Sequence, residues 1–372
     1  MTTPAAGSPH GAAPAQVPTQ ASPEAPDAGG SGGNYGVLFG PVVVGVFLVL
    51  AFAGLMIPGL RNPAPSDMPL GLAGPGPAVA QVEAQLDAAA PGAFEVKRYA
   101  DEAEARTALR DQDVLGAIVV GPSPKQPPGL LVASAAGDAP TTAATTAYEQ
   151  LTAQLGTPQK VDDVAPLPEK DSRGVSAVLL CVALTIGALI FQLVLSLAAA
   201  HVGAPRRWLS CLCYAVVAGA AGALFAGPVT GTLDGHFLEL LGVATLLSLT
   251  VVGVVAACQA LLGALGIAVG ALLVLPLGLA SSGGVVDPHF QPAFYGAVSE
   301  YLPMGSTVSL LRRVLYFDGN AAAGPLLTLA LWAAGAWLVT VAMERIRPFR
   351  PLMVIVPAAA AGPARTAAAR TA

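Results

Sequence analysis

Residues 237–280 form an apolar run that is longer than one bilayer crossing, and this run constrains the fold more than any other feature. Its only charged residue is Glu239. A helix needs about 20 apolar residues to cross the hydrocarbon layer, so the run is either one strongly tilted helix or two helices joined by a turn. We expect two helices. The turn is predicted near Gln259, Gly263 and Gly266, where polar and small residues interrupt the run.

Basic residues on either side of this run test how many membrane crossings it contains. Basic flanks of membrane helices tend to remain in the cytoplasm, and the two short basic segments of the chain are 201–207 and 344–350. Two further apolar segments, 208–231 and 325–343, lie between them. An even number of crossings must separate two cytoplasmic flanks, so 237–280 has to contribute two.

The composition places the chain among membrane proteins. Of its 372 residues, 54% are hydrophobic and 11% are charged, whereas soluble proteins carry about 25% charged residues. Segments 35–60 and 175–200 supply the remaining apolar runs. We therefore predict an α-helical polytopic protein with six transmembrane helices, one before and five after a polar segment. Its expected location is a bacterial inner (plasma) membrane, with both termini in the cytoplasm.

The polar segment 61–173 is predicted to be an extracytoplasmic α/β domain. It holds 15 of the 23 acidic residues and 9 of the 18 basic residues, and the helix count places it outside. Short runs of strand and helix periodicity alternate along it, which indicates a small α/β domain of about 100 residues. The predicted elements are a strand at 68–73, a helix at 77–89, a strand at 94–99, a helix at 101–109, strands at 115–120 and 129–134, and a helix at 141–155.

The two ends of the chain differ from the rest. Residues 1–34 contain no Lys or Arg and no aromatic residue, so they cannot bury enough apolar surface to offset the entropy of ordering. We predict a disordered cytoplasmic tail there. Residues 348–372, beyond the five-helix membrane domain at 174–347, are predicted to be a second cytoplasmic tail.

No pattern in the sequence indicates catalysis. None of the four lysines follows the glycine spacing of a phosphate-binding loop, and the four histidines, which are scattered, form no metal-binding pair. We therefore expect no enzymatic activity, no cofactor, no metal site and no nucleic-acid partner. A chain of this kind that moves a substrate with ATP would need a separate ATP-binding subunit.

Polar residues within or near the predicted helices admit more than one interpretation. Asp234 and Glu239 lie at the outer end of the 237–280 hairpin, where carboxylates are costly unless they face water or a partner. Together with His236 they either form a proton or cation relay or belong to a solvated loop. Gln192 and Gln259 are expected to hydrogen-bond between helices. Glycines such as Gly219 are expected to let helices approach closely.

Between the fifth and sixth helices, segment 299–317 has an amphipathic pattern. Val308, Leu311 and neighbouring apolar residues recur at helical spacing, whereas Arg312 and Arg313 fall on the other side. We predict a helix that lies at the outer membrane interface or dips back into it, with its apolar face in lipid. The arginines would either contact the headgroup of a substrate or anchor the helix to lipid phosphates.

Several short segments occur in an order that is typical of one family. They are 115–120 (LGAIVV), 161–168 (VDDVAPLP), 171–174 (DSRG), 301–312 (YLPMGSTVSLLR) and 316–319 (YFDG). In this order and spacing the chain resembles the ABC-2-type membrane permeases, in particular their phage-infection-protein-like branch. The resemblance covers residues 35–347. It implies one helix, an extracytoplasmic insert, five further helices, and a component of transport or export.

We therefore expect a permease-like membrane subunit of an ABC-type exporter, acting on a hydrophobic or amphipathic substrate in a homodimer or heterodimer within the bilayer. An alternative hypothesis is a membrane scaffold or receptor whose outer domain binds a phage, cell-wall or secretion partner. A third is an ion-coupled transporter that works through Asp234 and Glu239.

Overall fold

The structure is a computed structural model that describes residues 35–60, 64–121, 128–155, 160–198, 202–233 and 235–346. The tails predicted at 1–34 and 348–372, together with Arg61 and Asp234, lie outside the described residues. By compactness the chain divides after Phe47 into two units. All contacts reported below lie within the second unit, from Leu48 onward.

The protein is mostly helical, with one small sheet. Its helices are α1 (Tyr35–Leu60), α2 (Gly76–Ala89), α3 (Glu102–Arg110), α4 (Asp138–Leu155), α5 (Ser176–Ala198), α6 (Ala204–Leu224), α7 (Phe237–Leu262), α8 (Ala264–Leu272), α9 (Gly278–Ala280), α10 (Ala293–Ser299), α11 (Pro303–Tyr316) and α12 (Ala323–Ile346). Its strands are β1 (Met68–Ala73), β2 (Phe94–Tyr99), β3 (Gly116–Val119), β4 (Gly129–Val132) and β5 (Lys160–Asp163).

The five strands form a mixed sheet in the order β2-β1-β3-β4-β5. The β1–β2, β1–β3 and β4–β5 pairs are parallel, and β3 and β4 are antiparallel. Helices α2 and α4 contact each other over the sheet, while α3 packs against β1, β2 and β3. Large apolar side chains such as Leu70, Leu72, Ile118 and Leu130 are fully buried between these layers. The predicted α/β character of this segment is therefore confirmed.

Local signals explain most of the boundaries in the α/β region. Helix α3 begins where predicted because the Asp101 side chain accepts a hydrogen bond from the Glu104 amide at 2.9 Å. Strand β5 was not predicted, since its sequence KVDD has no apolar pattern. It forms by pairing with β4 at the sheet edge. Its Asp163 carboxylate also accepts hydrogen bonds from the amide and hydroxyl of Ser134.

Five of the described helices are long and apolar enough to cross a membrane: Val42–Leu60 within α1, α5, α6 with its continuation to Val229, α7 and α12. The chain is therefore a multi-pass membrane protein. The remaining predicted crossing corresponds to Ala264–Ala280, a shorter apolar helical segment. In that segment a π-helical stretch, Leu273–Leu277, joins α8 to α9.

The apolar run at 237–280 folds back on itself. Helix α7 ends at Leu262, and Gly263 turns the chain with a backbone φ of 66°, a conformation that is open to glycine at little cost. Gly270 then lies against Val255, where an added Cβ would be 3.1 Å from the Val255 Cα. The predicted turn between two helical segments is confirmed, with one correction. Gln259 lies inside α7 rather than in the turn, and its side-chain oxygen accepts hydrogen bonds within the bundle.

Close approach of helices holds the membrane bundle together. A Cβ added at Gly219 in α6 would lie 2.3 Å from the Thr245 hydroxyl of α7, so only glycine fits there. The Gln192 side-chain nitrogen in α5 donates to the Gln259 side-chain oxygen in α7 at 3.3 Å, and the Ser196 hydroxyl donates to the same oxygen at 2.9 Å. Both predictions, close packing at Gly219 and an interhelical glutamine pair, are confirmed.

Helix α11 corrects the prediction for segment 299–317. The helix forms, but its residues Met304 to Val308 are all buried, and it packs against α5, α7 and α12. Val308 and Leu311 are 1% and 2% exposed, so this apolar face contacts protein. The expectation that it enters lipid is wrong. An amphipathic pattern predicts that one face of a helix is buried, but it does not predict whether protein or lipid covers that face.

The α/β region is joined to the membrane helices through shared packing. Phe290 and Phe317, which follow the fifth predicted crossing, are buried in the same apolar cluster as the sheet residues. The Ser66 amide donates to the His289 carbonyl at 2.8 Å. At the start of α5, Asp171 accepts from the amides of Val175 and Ser176 at 3.1 Å each, which ties the end of the α/β region to the first turn of that helix.

Candidate functional site

A cavity of about 430 Å³ that is lined by both polar and apolar groups lies where the α/β region meets the ends of the membrane helices. The α/β region contributes Gln112, Leu115 and Ala136 to its lining, and α12 contributes Gly324, Pro325 and Thr328. The rest comes from α11, from the segment that precedes it and from Ala321, which lies between α11 and α12. Within the described residues, the acidic, basic and histidine side chains that line the cavity are those of Asp287, His289, Glu300, Arg312 and Arg313.

Arg312 bridges two regions of the fold. Its Nη1 atom donates to the Ala136 carbonyl of the α/β region at 3.1 Å and to the Gly283 carbonyl at 3.0 Å. Burial lowers the pKa of Arg312, and the Asp287 carboxylate partly opposes this shift. Arginine nevertheless stays protonated. Both observed acceptors are protein carbonyls held at the cavity wall, so this guanidinium anchors the α/β region and also presents positive charge to the cavity.

Arg313 is half-buried beside it. Its Nε atom donates to the Ser309 hydroxyl at 3.2 Å, and its Nη1 atom donates to the Asn320 carbonyl at 3.4 Å. Burial lowers the pKa of Arg313, and the Glu300 carboxylate opposes the shift. In the part of the chain that the structure describes, neither Arg312 nor Arg313 forms an ion pair. The two charges therefore remain available to a ligand.

The cavity also carries negative charge. The Asp287 carboxylate is buried and accepts from both the amide and the Nδ1 atom of His289, at 3.0 and 2.9 Å. This hydrogen bond raises the pKa of His289, against the opposing effect of burial. Glu300 is exposed, and its carboxylate has no hydrogen-bond partner among the described residues. The cavity thus contains one internally paired carboxylate, Asp287, and one unpaired carboxylate, Glu300.

An apolar groove of about 690 Å³ adjoins the cavity. Helix α7 lines it with Val254, Ala257, Cys258 and Leu261. Leu273, the residue that follows α8, also lines it. Helix α12 lines the other side with Thr328, Leu331, Trp332, Gly335, Ala336 and Val339. Leu261 and Leu331 are 51% and 62% exposed, so the groove opens sideways on the surface of the bundle.

Tyr301 and Thr328 line both the cavity and the groove, and they therefore mark the point where the two meet. The Trp332 indole nitrogen donates to the Tyr301 carbonyl at 2.5 Å. This contact fixes the loop before α11 against α12. The charged cavity beside the α/β region and the apolar groove along α12 are therefore neighbours that share Tyr301 and Thr328 in their walls.

The predicted site residues do not all come together. Arg312 and Arg313 line the cavity, whereas Glu239 is exposed in the first turn of α7 and does not line the cavity or the groove. Asp234 lies outside the described residues. Within the described ranges, no group of three or more His, Cys, Asp and Glu residues could hold a metal ion.

Sequence reasoning missed Asp287, His289 and Glu300 as site residues. They lie in the polar segment between the fifth and sixth predicted crossings. No helical or strand periodicity there predicts which way their side chains point. One signal was present. This segment concentrates charged residues between two apolar runs, and such charges near a membrane mark functional sites more often than charges elsewhere.

No protein-family model matches this chain, and no curated protein matches it. The resemblance to the ABC-2-type permeases thus rests on the order of short segments alone. Function has to be argued from the cavity and the groove.

Proposed function

We propose that this chain is a permease-like membrane subunit of an ABC-type exporter that moves a hydrophobic or amphipathic substrate, powered by a separate ATP-binding subunit. The observation that carries the proposal is the groove between α7 and α12. It opens sideways along an apolar helix and meets a charged cavity at Tyr301 and Thr328. A substrate with an apolar part and a polar part can enter such a site from the bilayer without exposing its apolar part to water.

Two contacts support the six-helix topology that the proposal needs. Arg207 at the start of α6 and Glu344 at the end of α12 form a buried ion pair at 3.5 Å. An ion pair requires both helix ends on the same side of the membrane, so an even number of crossings must separate them. Helices α6, α7 and α12 alone make an odd number. A crossing by Ala264–Ala280 makes the number even.

The second contact is the hydrogen bond from Arg312 to the Ala136 carbonyl. It joins the α/β region, which precedes α5, to α11, which follows α9. Four crossings between them, including Ala264–Ala280, keep both on one side. We propose that this side is extracytoplasmic and that both termini are cytoplasmic in the inner membrane, because the basic flanks at 201–207 and 344–350 then lie inside.

The separate ATPase and the dimer are parts of the same proposal. The sequence lacks a phosphate-binding loop, so ATP has to be hydrolysed by a partner. Helix α1 supports a membrane dimer, since Val49, Leu50 and Ile57 are 67%, 66% and 63% exposed on it. Such a face can pack against a second copy or a related subunit within the bilayer.

Closing the groove tests the proposal. Gly335 lines the groove, and an added Cβ there meets no atom within 4 Å. Gly335→Phe should therefore fill the groove without disturbing the bundle. Gly242→Phe on α7 is the matched control, because its Cβ also meets no atom within 4 Å and it does not line the groove. The measurement is ATP-dependent movement of a fluorescent acylated probe in proteoliposomes of the complex purified from native membranes.

We expect the wild-type complex and Gly242→Phe to move the probe and Gly335→Phe to lose most of this activity. Mass spectrometry of the complex should identify a subunit with a phosphate-binding loop. A complex without such a subunit, and without any ATP-dependent movement, would contradict the proposal and support the scaffold or receptor hypothesis instead.

A further inference from the structure

We propose that the cavity and the groove together bind one aminophospholipid, with its phosphate and ammonium groups in the cavity and an acyl chain in the groove. This inference names the class of amphipathic substrate, and in that respect it rests on the proposed function. It is carried by three observations: two arginines with donors to spare, one unpaired carboxylate, and an apolar groove of suitable length.

The phosphate is assigned to the arginines. A guanidinium has five N–H groups, and in the described part of the chain Arg312 and Arg313 each direct only two of them to protein acceptors. The remaining donors have no carboxylate or carbonyl partner there. Guanidinium groups bind phosphate oxygens through paired, charge-assisted hydrogen bonds. The two neighbouring arginines therefore suit a phosphodiester at the cavity wall.

The ammonium group is assigned to Glu300. Asp287 is already paired with His289, whereas the Glu300 carboxylate lines the same cavity without a hydrogen-bond partner among the described residues. A purely anionic headgroup would satisfy the arginines and leave Glu300 beside another negative charge. A headgroup with both a phosphate and a primary ammonium complements charges of both signs, so the observations favour the zwitterionic lipid.

The groove fits the apolar part. It follows α12 from Thr328 to Val339, which at a rise of 1.5 Å per residue is about 16 Å. This length is close to half of a hydrocarbon layer that is about 30 Å thick. The groove begins at Tyr301 and Thr328, where the cavity ends. One acyl chain can thus run along α12 through one leaflet while its headgroup stays in the cavity.

Trp332 provides a direct measurement because its side chain lines the groove. In a variant with Trp208→Phe and Trp337→Phe, Trp332 is the sole tryptophan. The protein is reconstituted in phosphatidylcholine, and a minor component with brominated chains is added: phosphatidylethanolamine, phosphatidylglycerol, phosphatidylcholine or diacylglycerol. Quenching of Trp332 fluorescence by each brominated lipid gives its relative affinity for the site. The assay needs neither ATP nor a partner subunit.

We expect phosphatidylethanolamine to bind about fivefold more tightly than phosphatidylcholine, whose quaternary ammonium cannot donate a hydrogen bond; this factor is the upper value for an exposed ion pair. Glu300→Gln should remove that preference and leave the preference for phosphate lipids over diacylglycerol. Arg313→Gln should reduce the latter preference about tenfold, the weak end for a charge-assisted hydrogen bond. Arg313 is the residue to change because Arg312 also anchors the α/β region.

Gly335→Phe should abolish all lipid preferences, whereas Gly242→Phe should retain them. The inference is overturned if phosphatidylglycerol is preferred and Glu300→Gln has no effect, or if no preference responds to Arg313→Gln. It is also overturned if Trp332 is shielded from every brominated lipid, since a helix of a second copy then occupies the groove.

These outcomes separate the inference from the proposed function. If the protein shows no lipid selectivity but moves another acylated probe with ATP, the aminophospholipid inference is wrong and the exporter proposal stands. If the protein binds phosphatidylethanolamine selectively but moves no probe with ATP, the lipid site is supported and the exporter proposal is wrong.

Discussion

The α/β region and the membrane bundle both bury large apolar side chains, but they differ in the other contacts that accompany this burial. In the α/β region, large residues such as Leu70, Ile118 and Tyr148 are fully buried. In the bundle, the closest helix contacts occur at glycines such as Gly219, and a glutamine pair is buried. Water drives apolar side chains together in the first case, whereas lipid is as apolar as the side chains in the second. Packing and hydrogen bonds therefore matter more in the bundle.

The two regions also place charge differently. The Arg98–Glu83 pair of the α/β region has side chains that are 60% and 29% exposed, whereas those of the Arg207–Glu344 pair in the bundle are 7% and 11% exposed. Exposed pairs contribute little to stability, while a buried charge that loses its partner is costly. The same type of substitution should thus have unequal effects in the two regions.

The largest expected effect is that of Glu344→Gln, which removes the negative charge from the buried ion pair with Arg207. We expect the free energy of unfolding to fall by about 4 kcal/mol. Arg98→Gln is the matched control and should cost less than about 1 kcal/mol. Denaturant titration of the purified protein in mixed micelles measures both. Equal losses for the two variants would show that burial of the ion pair does not distinguish the regions.

Leu70 and Leu247 are fully buried in the α/β region and in the bundle, respectively. We expect a smaller difference between the stability losses of their alanine variants. Leu70→Ala loses both the transfer free energy of the side chain and its packing, so we expect a cost of about 3 kcal/mol. Leu247→Ala loses mainly packing because its reference state is lipid, and we expect about half of that cost. The same titration applies. A larger cost for Leu247→Ala would contradict the comparison.

Added side-chain volume should destabilise the bundle where two of its helices approach closely. Gly219→Val places methyl groups where Thr245 already contacts the backbone of α6, so it should cost about 2 kcal/mol through overpacking. Gly242→Val is the control, since nothing lies within 4 Å of its added Cβ. Thermal unfolding in detergent should show a lower midpoint for Gly219→Val only. An unchanged midpoint would remove close packing at Gly219 as a source of stability.

Much of the α/β region could be predicted because its local patterns agree with its tertiary structure. Strand periodicity placed β2 at 94–99, and helical periodicity predicted a helix at 101–109 where the structure has α3. Strand β5 could not be predicted in this way. Its polar residues become a strand through pairing with β4, which is a long-range contact that the local sequence does not report.

The candidate site was predictable only in part. Arg312 and Arg313 were predicted to contact the headgroup of a substrate or lipid phosphates, and they do line the cavity. Their actual contacts could not be predicted, since the Ala136 carbonyl is 176 residues away from Arg312 in sequence. The lateral groove follows from the packing of α7 and α12. Periodicity predicts that each helix has an apolar face but not which helix, if any, covers it.

The smallest expected effect concerns the joint between the two regions, where His289 is hydrogen-bonded to Asp287 and its carbonyl accepts from Ser66. The Asp287 contact raises the pKa of His289 above its usual 6.5, with smaller contributions from Glu300 and Glu95. Protonated His289 therefore stabilises the folded state below the pKa of the unfolded chain. That stabilisation is lost as the pH rises through the higher pKa of the folded state.

Stability should accordingly decline between about pH 6 and pH 8 more in the wild-type protein than in His289→Gln, which keeps a polar side chain without a titrating group. Thermal unfolding midpoints of the two proteins across this range give the difference that belongs to His289, because the remaining histidines are common to both. The expected sign is a wild-type advantage that shrinks with rising pH. An advantage that grows with pH would mean that burial, which lowers the pKa of His289, outweighs its bond to Asp287 at this joint.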